Sequence, residues 1–223
     1  MKRVLVTGAN GQLGLAIKAA AAAYPQLSFV FAGKAELDVT AAQQIEVFFK
    51  SNPFDFCINA AAYTNVDKAE EDKEAAYVLN ETAPRLLAEA CKQHNVFLLH
   101  ISTDYVFDGT KGSAYTTKDT PNPINVYGAS KLAGEQAIAE VGGDYCIVRT
   151  SWLYSEYGTN FQTKILEKAK SAPYLEVVSD LYGTPTYAPN LVVFLLNKIS
   201  GLACLLYTSP SPRDRQKCRM PSY

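Results

Sequence analysis

The residue types and spacing of Tyr127 and Lys131 suit them to acid chemistry. The two residues are four positions apart in the stretch N-V-Y-G-A-S-K-L-A-G-E, which runs from Asn125 to Glu135. On an α-helix this spacing places both side chains on one face, with Cβ atoms roughly 5 to 6 Å apart. A phenol beside an ammonium group can act as a proton donor, because the positive charge stabilises the phenolate that remains.

The energies involved agree with a general acid that works near pH 7. A tyrosine titrates near about 10, so donation near neutrality needs roughly 4 kcal/mol of stabilisation for its phenolate. One lysine charge about 4 Å away supplies about that amount at an effective dielectric constant of roughly 20. A chain of this composition contains roughly one Tyr-x-x-x-Lys spacing by chance. An exposed helical pair is therefore the alternative, and the surrounding elements must decide.

The first 14 residues predict a turn that binds a dinucleotide. Lys2–Thr7 is a short β-branched apolar run, and Gly8, Gly11 and Gly14 lead from it into an alanine-rich helical segment. A pyrophosphate binds at the N-terminus of such a helix, because free N–H groups and the helix dipole attract it. A strand before the glycines and a helix after them are the context that this motif requires. A simple tight turn is the alternative.

Two later strands bring small and hydroxyl-bearing side chains to the same edge of the predicted sheet. Asp55–Asn59 reads as a buried strand, and the three alanines at 60–62 that follow it either leave room for a cofactor or pack against a helix. Asn95–Ile101 reads as another strand, followed by residues 102–105, whose hydroxyl groups could bond a substrate carbonyl oxygen. We interpret His100, inside this strand, as a hydrogen-bonded core residue rather than a catalyst.

The end of the second predicted strand bears on the choice of cofactor. Ser28–Ala32 ends without the acidic residue that commonly bonds the ribose 2′-hydroxyl of NADH. Lys34 lies close by and Asp38 lies further along, so the sequence slightly favours NADPH over NADH. Thr40 is the predicted N-cap of the helix that follows, over 41–50.

Strands and helices alternate along the rest of the chain. Further strands are predicted at 144–150 and 175–178, and further helices at 66–94 with a kink at Pro84, from about Tyr127 onward, at 160–170 and at 188–199. Such alternation predicts an α/β protein with a Rossmann-like, doubly wound parallel sheet.

Composition indicates an ordinary globular protein of the cytoplasm. The chain has 223 residues, 48% of them hydrophobic and 19% charged, with a formal net charge of −1. It contains neither an apolar run long enough to span a membrane nor a secretory signal. The spacing of the five cysteines favours neither a zinc site nor disulfides, and Cys57, Cys91 and Cys146 are expected to be buried thiols.

Residues 204–223 differ from the rest of the chain. They hold four of the 21 basic residues and one of the 22 acidic ones, so a basic tail follows an acidic body. They show no helix or strand periodicity. Residues 204–214 and 219–222 also resemble translated adapter sequences from DNA-sequencing libraries. We therefore expect a disordered read-through tail after a domain at 1–203; a nucleic-acid-binding tail is the alternative.

Five motifs occur in the order and spacing of the extended short-chain dehydrogenases, which this sequence therefore resembles. They are T-G-A-N-G-Q-L-G (7–14), N-A-A-A (59–62), S-T-D-Y-V-F (102–107), Y-G-A-S-K (127–131) and R-T-S-W-L-Y (149–154). The resemblance is greatest to the dTDP-4-dehydrorhamnose reductase branch and covers residues 1–203. Members of that branch are longer, so most of the small C-terminal substrate lobe is expected to be missing and this chain to be poorly active.

The resemblance implies roles for single positions. Tyr127 would protonate the C4 oxygen of the substrate, Lys131 would hold the nicotinamide ribose and favour the phenolate, and Thr103 would replace the usual family serine. Cofactor contacts are implied at Gly8, Gly11, Gln12, Leu13, Gly14, Asp38, Val39, Ala62, Tyr63, Thr64, Tyr127 and Lys131. Substrate contacts are implied at Thr103, Asp104, Tyr105 and Trp152, and no metal is implied.

The implied reaction is hydride transfer from NADPH or NADH to the C4 ketone of a dTDP-sugar. A homodimer is expected for the full-length protein, and neither nucleic acid nor membrane is an expected partner. Two alternatives remain: a non-catalytic NADP-binding regulatory subunit, like that of methionine adenosyltransferase, and another sugar-nucleotide enzyme of the same fold. The complete set of Thr103, Tyr127 and Lys131 favours catalysis, because a protein that only binds the cofactor needs no acid.

Overall fold

A computed structural model describes residues 1–172, 174–176 and 183–205 of the chain, with side chains described as far as residue 201. Within these residues, no helix is both long and apolar enough to cross a membrane.

A sheet of five parallel strands forms the centre of the molecule. The strands are β1 (Lys2–Thr7), β2 (Leu27–Ala32), β3 (Phe56–Asn59), β4 (Phe97–Thr103) and β5 (Tyr145–Thr150). Their order is β2-β1-β3-β4-β5. Chain direction across the sheet reverses between β1 and β3, which is the switch point where α/β sheets bind ligands. The predicted doubly wound parallel sheet is confirmed.

The register of the strands aligns their carboxyl ends. Thr7 pairs with Asn59, Asn59 pairs with His100, and Thr103 pairs with Thr150. Residues that follow β1, β3 and β4 therefore meet at one edge of the sheet.

The described residues form eight α-helices around the sheet. They are α1 (Gln12–Ala20), α2 (Ala42–Ser51), α3 (Val66–Glu71), α4 (Lys73–Tyr77), α5 (Ala83–Gln93), α6 (Val126–Val141), α7 (Phe161–Ala169) and α8 (Ala188–Leu205). On one face of the sheet α1 and α8 pack together, through buried side chains that include Ile17, Leu191 and Leu195. On the other face α2 and α5 pack together, with Ile45 and Leu87 in their core. Full burial of each such side chain contributes about 1.5–3 kcal/mol.

Several predicted boundaries change for physical reasons. Strand β4 runs on to Thr103 because Ser102 and Thr103 continue the pairing with β5. Thr40 is not the N-cap of α2: Ala41 takes that position, and Thr40 instead donates its hydroxyl hydrogen to Asp38 Oδ1 at 2.7 Å. Pro84 lies in the first turn of α5, where its missing N–H costs little. The irregularity between α4 and α5 is a π-helical segment, Val78–Thr82.

The C-terminal part differs most from the prediction. Leu175 and Glu176 are not in a strand, and the rest of the strand predicted at 175–178 lies outside the described residues. Two short strands, β6 (Leu153–Tyr154) and β7 (Thr186–Tyr187), instead form a separate parallel pair. Residues 204 and 205 of the predicted tail continue α8, and 206–223 lie outside the described residues. Cys57, Cys91 and Cys146 are buried, as predicted.

Candidate active site

Helix α6 presents Tyr127 in its first turn. The Asn125 side chain begins this helix, because its Oδ1 accepts the N–H of Gly128 at 2.7 Å. Tyr127 is partly buried, and its ring meets that of Tyr105 edge-on, with centroids 5.6 Å apart. Packing against Tyr105 therefore holds the phenol in the first turn of α6.

Close packing joins α6 to the turn that follows β4. A Cβ atom at Gly128 would lie 2.1 Å from the carbonyl oxygen of Tyr105, so only glycine permits this approach. The turn, Asp104–Val106, is one of 3₁₀ geometry. This contact brings Thr103 and Tyr127, which are 24 positions apart in the sequence, to the same site.

Hydrogen bonds fix the hydroxyl of Thr103. Its Oγ1 accepts the N–H of Tyr105 at 3.2 Å and donates to Asp104 Oδ1 at 3.1 Å. Burial raises the pKa of Asp104, against the hydrogen bond from Thr103 that lowers it. Three of the four predicted substrate contacts, Thr103, Asp104 and Tyr105, are thus consecutive residues of one ordered turn.

The predicted effect of Lys131 on the acidity of Tyr127 is wrong for this structure. Burial raises the pKa of Tyr127 to about 12, and the negative charges of Asp104 and Tyr105 act in the same direction. A hydrogen bond with Thr103 opposes this rise but does not reverse it. The spacing of the pair indicates the attraction of the lysine charge but not the cost of burying a phenolate, and here that cost is larger.

Lys131 points into the protein, towards β4. Its side chain is 2% exposed, and its Nζ donates to the carbonyl oxygen of Ile101 at 2.7 Å. Burial lowers the pKa of Lys131 to about 8, although the nearby Glu135 carboxylate raises it. With a pKa of about 8, the buried lysine can change between its ammonium and amine forms near neutral pH. Residue spacing alone does not predict this property.

A buried chain of polar groups leads from Lys131 across the sheet. Its Nζ lies 3.4 Å from Nε2 of His100, and Nδ1 of His100 lies 3.0 Å from Nδ2 of Asn59. Oδ1 of Asn59 accepts the hydroxyl hydrogen of Thr7 at 2.7 Å. The predicted placement of His100 in the core is confirmed, since it is completely buried with polar atoms beside both ring nitrogens.

The glycine turn has the form that a bound pyrophosphate requires. Gly8 has a φ of +64°, and a Cβ atom there would lie 2.6 Å from the N–H nitrogen of Ala61. Gly11 is the N-cap of α1, and in the part of the chain that the structure describes no side chain caps this helix. Its first N–H groups can therefore bind the oxygens of a phosphate, so these residues fit a dinucleotide.

The other residues of this turn pack against or bond groups within the protein. Leu13 is buried in the core, and Gly14 packs against Gly8 and Ala9. The Gln12 amide donates to the Leu153 carbonyl at 3.0 Å and accepts from the Asn160 amide at 2.8 Å. Gln12 and Leu13 can consequently meet a cofactor through backbone N–H groups.

A buried asparagine that the sequence analysis missed supports the loop after β3. Asn80, in the π-helical segment, bonds the backbone of Tyr63 and donates to Ser130 Oγ on α6 at 3.0 Å. A Cβ atom at Gly134 would lie 2.0 Å from the Asn80 carbonyl oxygen. This packing places Ala62–Thr64 beside the helix that carries Tyr127. No local sequence signal marks Asn80.

A partly buried ion pair, also missed, lies beyond Lys131. Oε1 of Glu135 accepts from Ser102 Oγ at 2.6 Å and from Arg149 Nε at 2.8 Å, and Oε2 accepts from Arg149 Nη2. The Arg149 guanidinium also lies 5.0 Å from the centroid of the Phe107 ring. The pair joins α6, β4 and β5. Its sequence signal was available, because Glu135 follows Lys131 by four residues and so shares its helix face.

An acidic side chain from the segment after β2 lies at the end of that strand. Asp38 binds the backbone and side chain of Thr40, and Val39 is buried in the core. Glu36, however, accepts the N–H of Gly33, directly after β2, at 2.8 Å. The end of β2 thus has a carboxylate beside it although the strand itself contains none. The position of Glu36, three residues after Gly33, was the sequence signal for this contact.

Trp152 follows β5, whose last residue, Thr150, pairs with Thr103 at the end of β4. Its φ is +45°, in the left-handed region that non-glycine residues rarely adopt, and it is 43% exposed. A Cβ atom at Gly183 would lie 2.5 Å from its indole ring. The strained backbone directs a large aromatic side chain to the surface beside the carboxyl edge of the sheet.

Comparisons with known proteins agree with this arrangement. The family model described as RmlD substrate binding domain matches residues 1–207. A dTDP-4-dehydrorhamnose reductase of Burkholderia thailandensis is 42% identical over 189 residues, which are 85% of this chain and 63% of that protein. One of Sinorhizobium fredii is 41% identical over 194 residues, which are 87% of this chain and 65% of that protein.

A solved structure supports the same relationship. The dTDP-4-dehydrorhamnose reductase of Bacillus anthracis in complex with NADP superposes with a TM-score of 0.87 at 40% identity, over 90% of this chain and 71% of that one. The chain spans somewhat less than two thirds of the length of the Burkholderia and Sinorhizobium relatives.

Proposed function

Since the chain belongs to the family of the RmlD substrate binding domain, we propose that it holds the cofactor site and the catalytic residues of a dTDP-sugar reductase. The reaction is the reduction of the C4 ketone of dTDP-4-dehydro-L-rhamnose to an alcohol. NADPH or NADH supplies the hydride when bound. The names of the relatives support the substrate, and the NADP in the Bacillus anthracis structure supports the cofactor.

The placement of Tyr127 carries this proposal. The phenol lies next to the Thr103 turn at the carboxyl end of β4, on a sheet whose β1 turn fits a pyrophosphate. Because β3 lies between β1 and β4, residues 62–64 separate the predicted pyrophosphate site from the predicted acid. A nicotinamide that extends from the α1 N-terminus along this edge would therefore reach the phenol.

Each of the site residues has a separate role in the proposed reduction. Tyr127 donates its phenolic proton to the C4 oxygen as that oxygen gains negative charge, and its raised pKa keeps it protonated until then. Thr103 accepts the N–H of Tyr105, and on substrate binding its hydroxyl hydrogen turns from Asp104 to the same oxygen. Lys131 and the Asn80 contacts to Tyr63 order the cofactor side of the site. Asp104, Tyr105 and Trp152 contact the sugar nucleotide.

An assay of cofactor oxidation with dTDP-4-dehydro-L-rhamnose tests the proposal. NADPH or NADH should lose its reduced absorbance in proportion to the dTDP-L-rhamnose that forms. Cofactor binding without oxidation, in a chain shown to bind dTDP-4-dehydro-L-rhamnose, would favour the non-catalytic regulator. Formation of a different sugar nucleotide would favour another enzyme of the fold.

The same assay tests whether this chain has enough of the substrate site. The full-length Burkholderia thailandensis relative is the positive control, and we expect it to turn over faster because this chain spans 63% of its length. Equal rates would contradict the proposal that the remaining third of the relative is needed.

A further inference from the structure

The orientation of the Asn59 amide is fixed by its neighbours. Its Oδ1 accepts the backbone N–H of Ala61 at 3.2 Å and the hydroxyl hydrogen of Thr7 at 2.7 Å. A backbone N–H can only donate, so exchanging the amide oxygen and nitrogen would place two donors against each other. The amide nitrogen of Asn59 must therefore face His100.

This orientation decides which nitrogen of His100 carries the proton. Nδ2 of Asn59 donates to Nδ1 of His100 at 3.0 Å, so Nδ1 is an acceptor and carries no hydrogen. Complete burial disfavours the imidazolium form, and the Lys131 charge adds to this effect by lowering the pKa of His100. A neutral ring without hydrogen on Nδ1 has it on Nε2, the nitrogen that lies 3.4 Å from Lys131 Nζ.

The N–H of His100 distinguishes the two forms of Lys131. An ammonium group has only donors, so an N–H directed at it is unfavourable, whereas an amine has a lone pair that can accept that hydrogen. The amine can keep its own donation to the Ile101 carbonyl. Of the other ionisable groups near the lysine, Glu135, on the same helix, favours the ammonium form.

We propose that His100 is a positioning residue for Lys131: Asn59 fixes it as the Nε2–H tautomer, and this N–H stabilises the amine form of the lysine relative to the ammonium form. The inference rests on hydrogen-bond partners from three elements, β1, β3 and β4, none of which is near Lys131 in the sequence.

The proton chemistry that follows depends on the proposed function. In the proposed reaction the phenolate that Tyr127 leaves must regain a proton. Lys131 follows Tyr127 by one turn of α6, and the form of the lysine that His100 favours decides whether it still has an ammonium proton to give.

Nitrogen NMR of the unaltered chain tests the tautomer directly. The chain has two histidines, His94 and His100, so ¹⁵N-histidine labelling gives two ring systems, which His94→Gln assigns. We expect His100 to be neutral, with hydrogen on Nε2 only, from about pH 5 to about pH 9. Hydrogen on Nδ1 at neutral pH would overturn the proposal. The measurement needs neither cofactor nor turnover, so it can fail or succeed independently of the proposed function.

The variant Asn59→Asp tests the effect on Lys131. The carboxylate keeps the acceptor for Ala61 and Thr7 but presents an acceptor to His100, so Nδ1 should gain the hydrogen and Nε2 should accept from Lys131. The titration midpoint of Lys131, followed by ¹³Cε NMR and assigned with Lys131→Arg, should rise by about one pH unit or more.

The tautomer of His100 and the titration midpoint of Lys131 are measured in the same Asn59→Asp sample. The two measurements together separate the effect of the tautomer from the effect of the added charge. A higher lysine midpoint together with hydrogen on Nδ1 supports the proposal. A higher midpoint while His100 keeps its hydrogen on Nε2 assigns the effect to the carboxylate charge and contradicts the proposal, as does an unchanged midpoint with hydrogen on Nδ1. If this variant does not fold, the same titration is done with His100→Phe, which removes the imidazole N–H. An unchanged titration midpoint of Lys131 in that variant would contradict the proposal.

Discussion

The side-chain amide of Asn80 bonds both backbone groups of Tyr63, accepting its N–H at 2.9 Å and donating to its carbonyl at 3.0 Å. One buried side chain thereby acts as a strand-like partner for the loop between β3 and α3. That loop carries Ala62–Thr64, the residues proposed to contact the nicotinamide.

Replacing Asn80 with Ala should loosen this loop. Two partly buried backbone groups of Tyr63 lose their partner, and each costs up to roughly 1–3 kcal/mol if it stays unsatisfied. Urea unfolding should therefore show a loss of stability, and NADPH should bind more weakly in calorimetry. The exposed-residue variant Asn197→Ala is the matched control. Unchanged affinity for NADPH in a folded Asn80→Ala protein would contradict the role assigned to this loop.

Replacing Tyr127 with Phe should remove the acid and leave the cofactor site intact. The substitution takes away one hydroxyl group, and loss of a general acid lowers turnover by roughly 10²- to 10⁴-fold. Steady-state rates of NADPH oxidation measure the loss, while calorimetry should show NADPH affinity within about two-fold of the unaltered chain. Tyr24→Phe, at an exposed hydroxyl, is the control and should not change the rate. Comparable turnover by the Tyr127 variant would rule out this proton donor.

Replacing Lys131 with Met should change stability in a pH-dependent way. The lysine pKa is lowered from 10.5 to about 8 in the folded state, so the unfolded chain holds more protons between these values. Stability of the unaltered chain consequently rises with pH across that window, and the penalty of the buried charge, about 3 kcal/mol, is complete below pH 8.

Urea unfolding of both proteins at about pH 7 and about pH 10 provides the measurement. The stability of Lys131→Met relative to the unaltered chain should be highest at the lower pH and should fall towards the higher one. Lys18→Met, at an exposed lysine, is the control for the loss of a charge. A difference between Lys131→Met and the unaltered chain that does not vary with pH would show that the lysine is not a depressed base.

Replacing Glu36 with Gln should shift cofactor preference towards NADPH. The Glu36 carboxylate bonds Gly33 at the end of β2, where a ribose 2′-hydroxyl is commonly bound and a 2′-phosphate would be repelled. Removing one exposed like charge near a phosphate is worth roughly 1 kcal/mol, or about five-fold in the ratio of affinities. Calorimetric titration with NADH and NADPH gives that ratio. Glu89→Gln makes the same charge change at an exposed position of α5, and an equal shift in both variants would exclude Glu36 as the cause.

Local patterns in the sequence determined much of the fold. The apolar runs, the glycine turn and the strand-helix alternation identified all five strands of the parallel sheet and the helix that carries Tyr127. They also placed Thr103 at the end of a strand. These features depend on residues within a few positions of one another, so periodicity and turn chemistry are enough to predict them.

Only the tertiary structure decided the environment of the two residues that first suggested chemistry. Lys131 is directed at His100 and Ile101, 31 and 30 positions away, rather than lowering the pKa of Tyr127. The supports at Asn80 and Glu135 likewise depend on contacts between residues far apart in the sequence. Burial and hydrogen-bond partners set both pKa values, and packing fixes those partners, so the spacing of the pair in the sequence could not predict them.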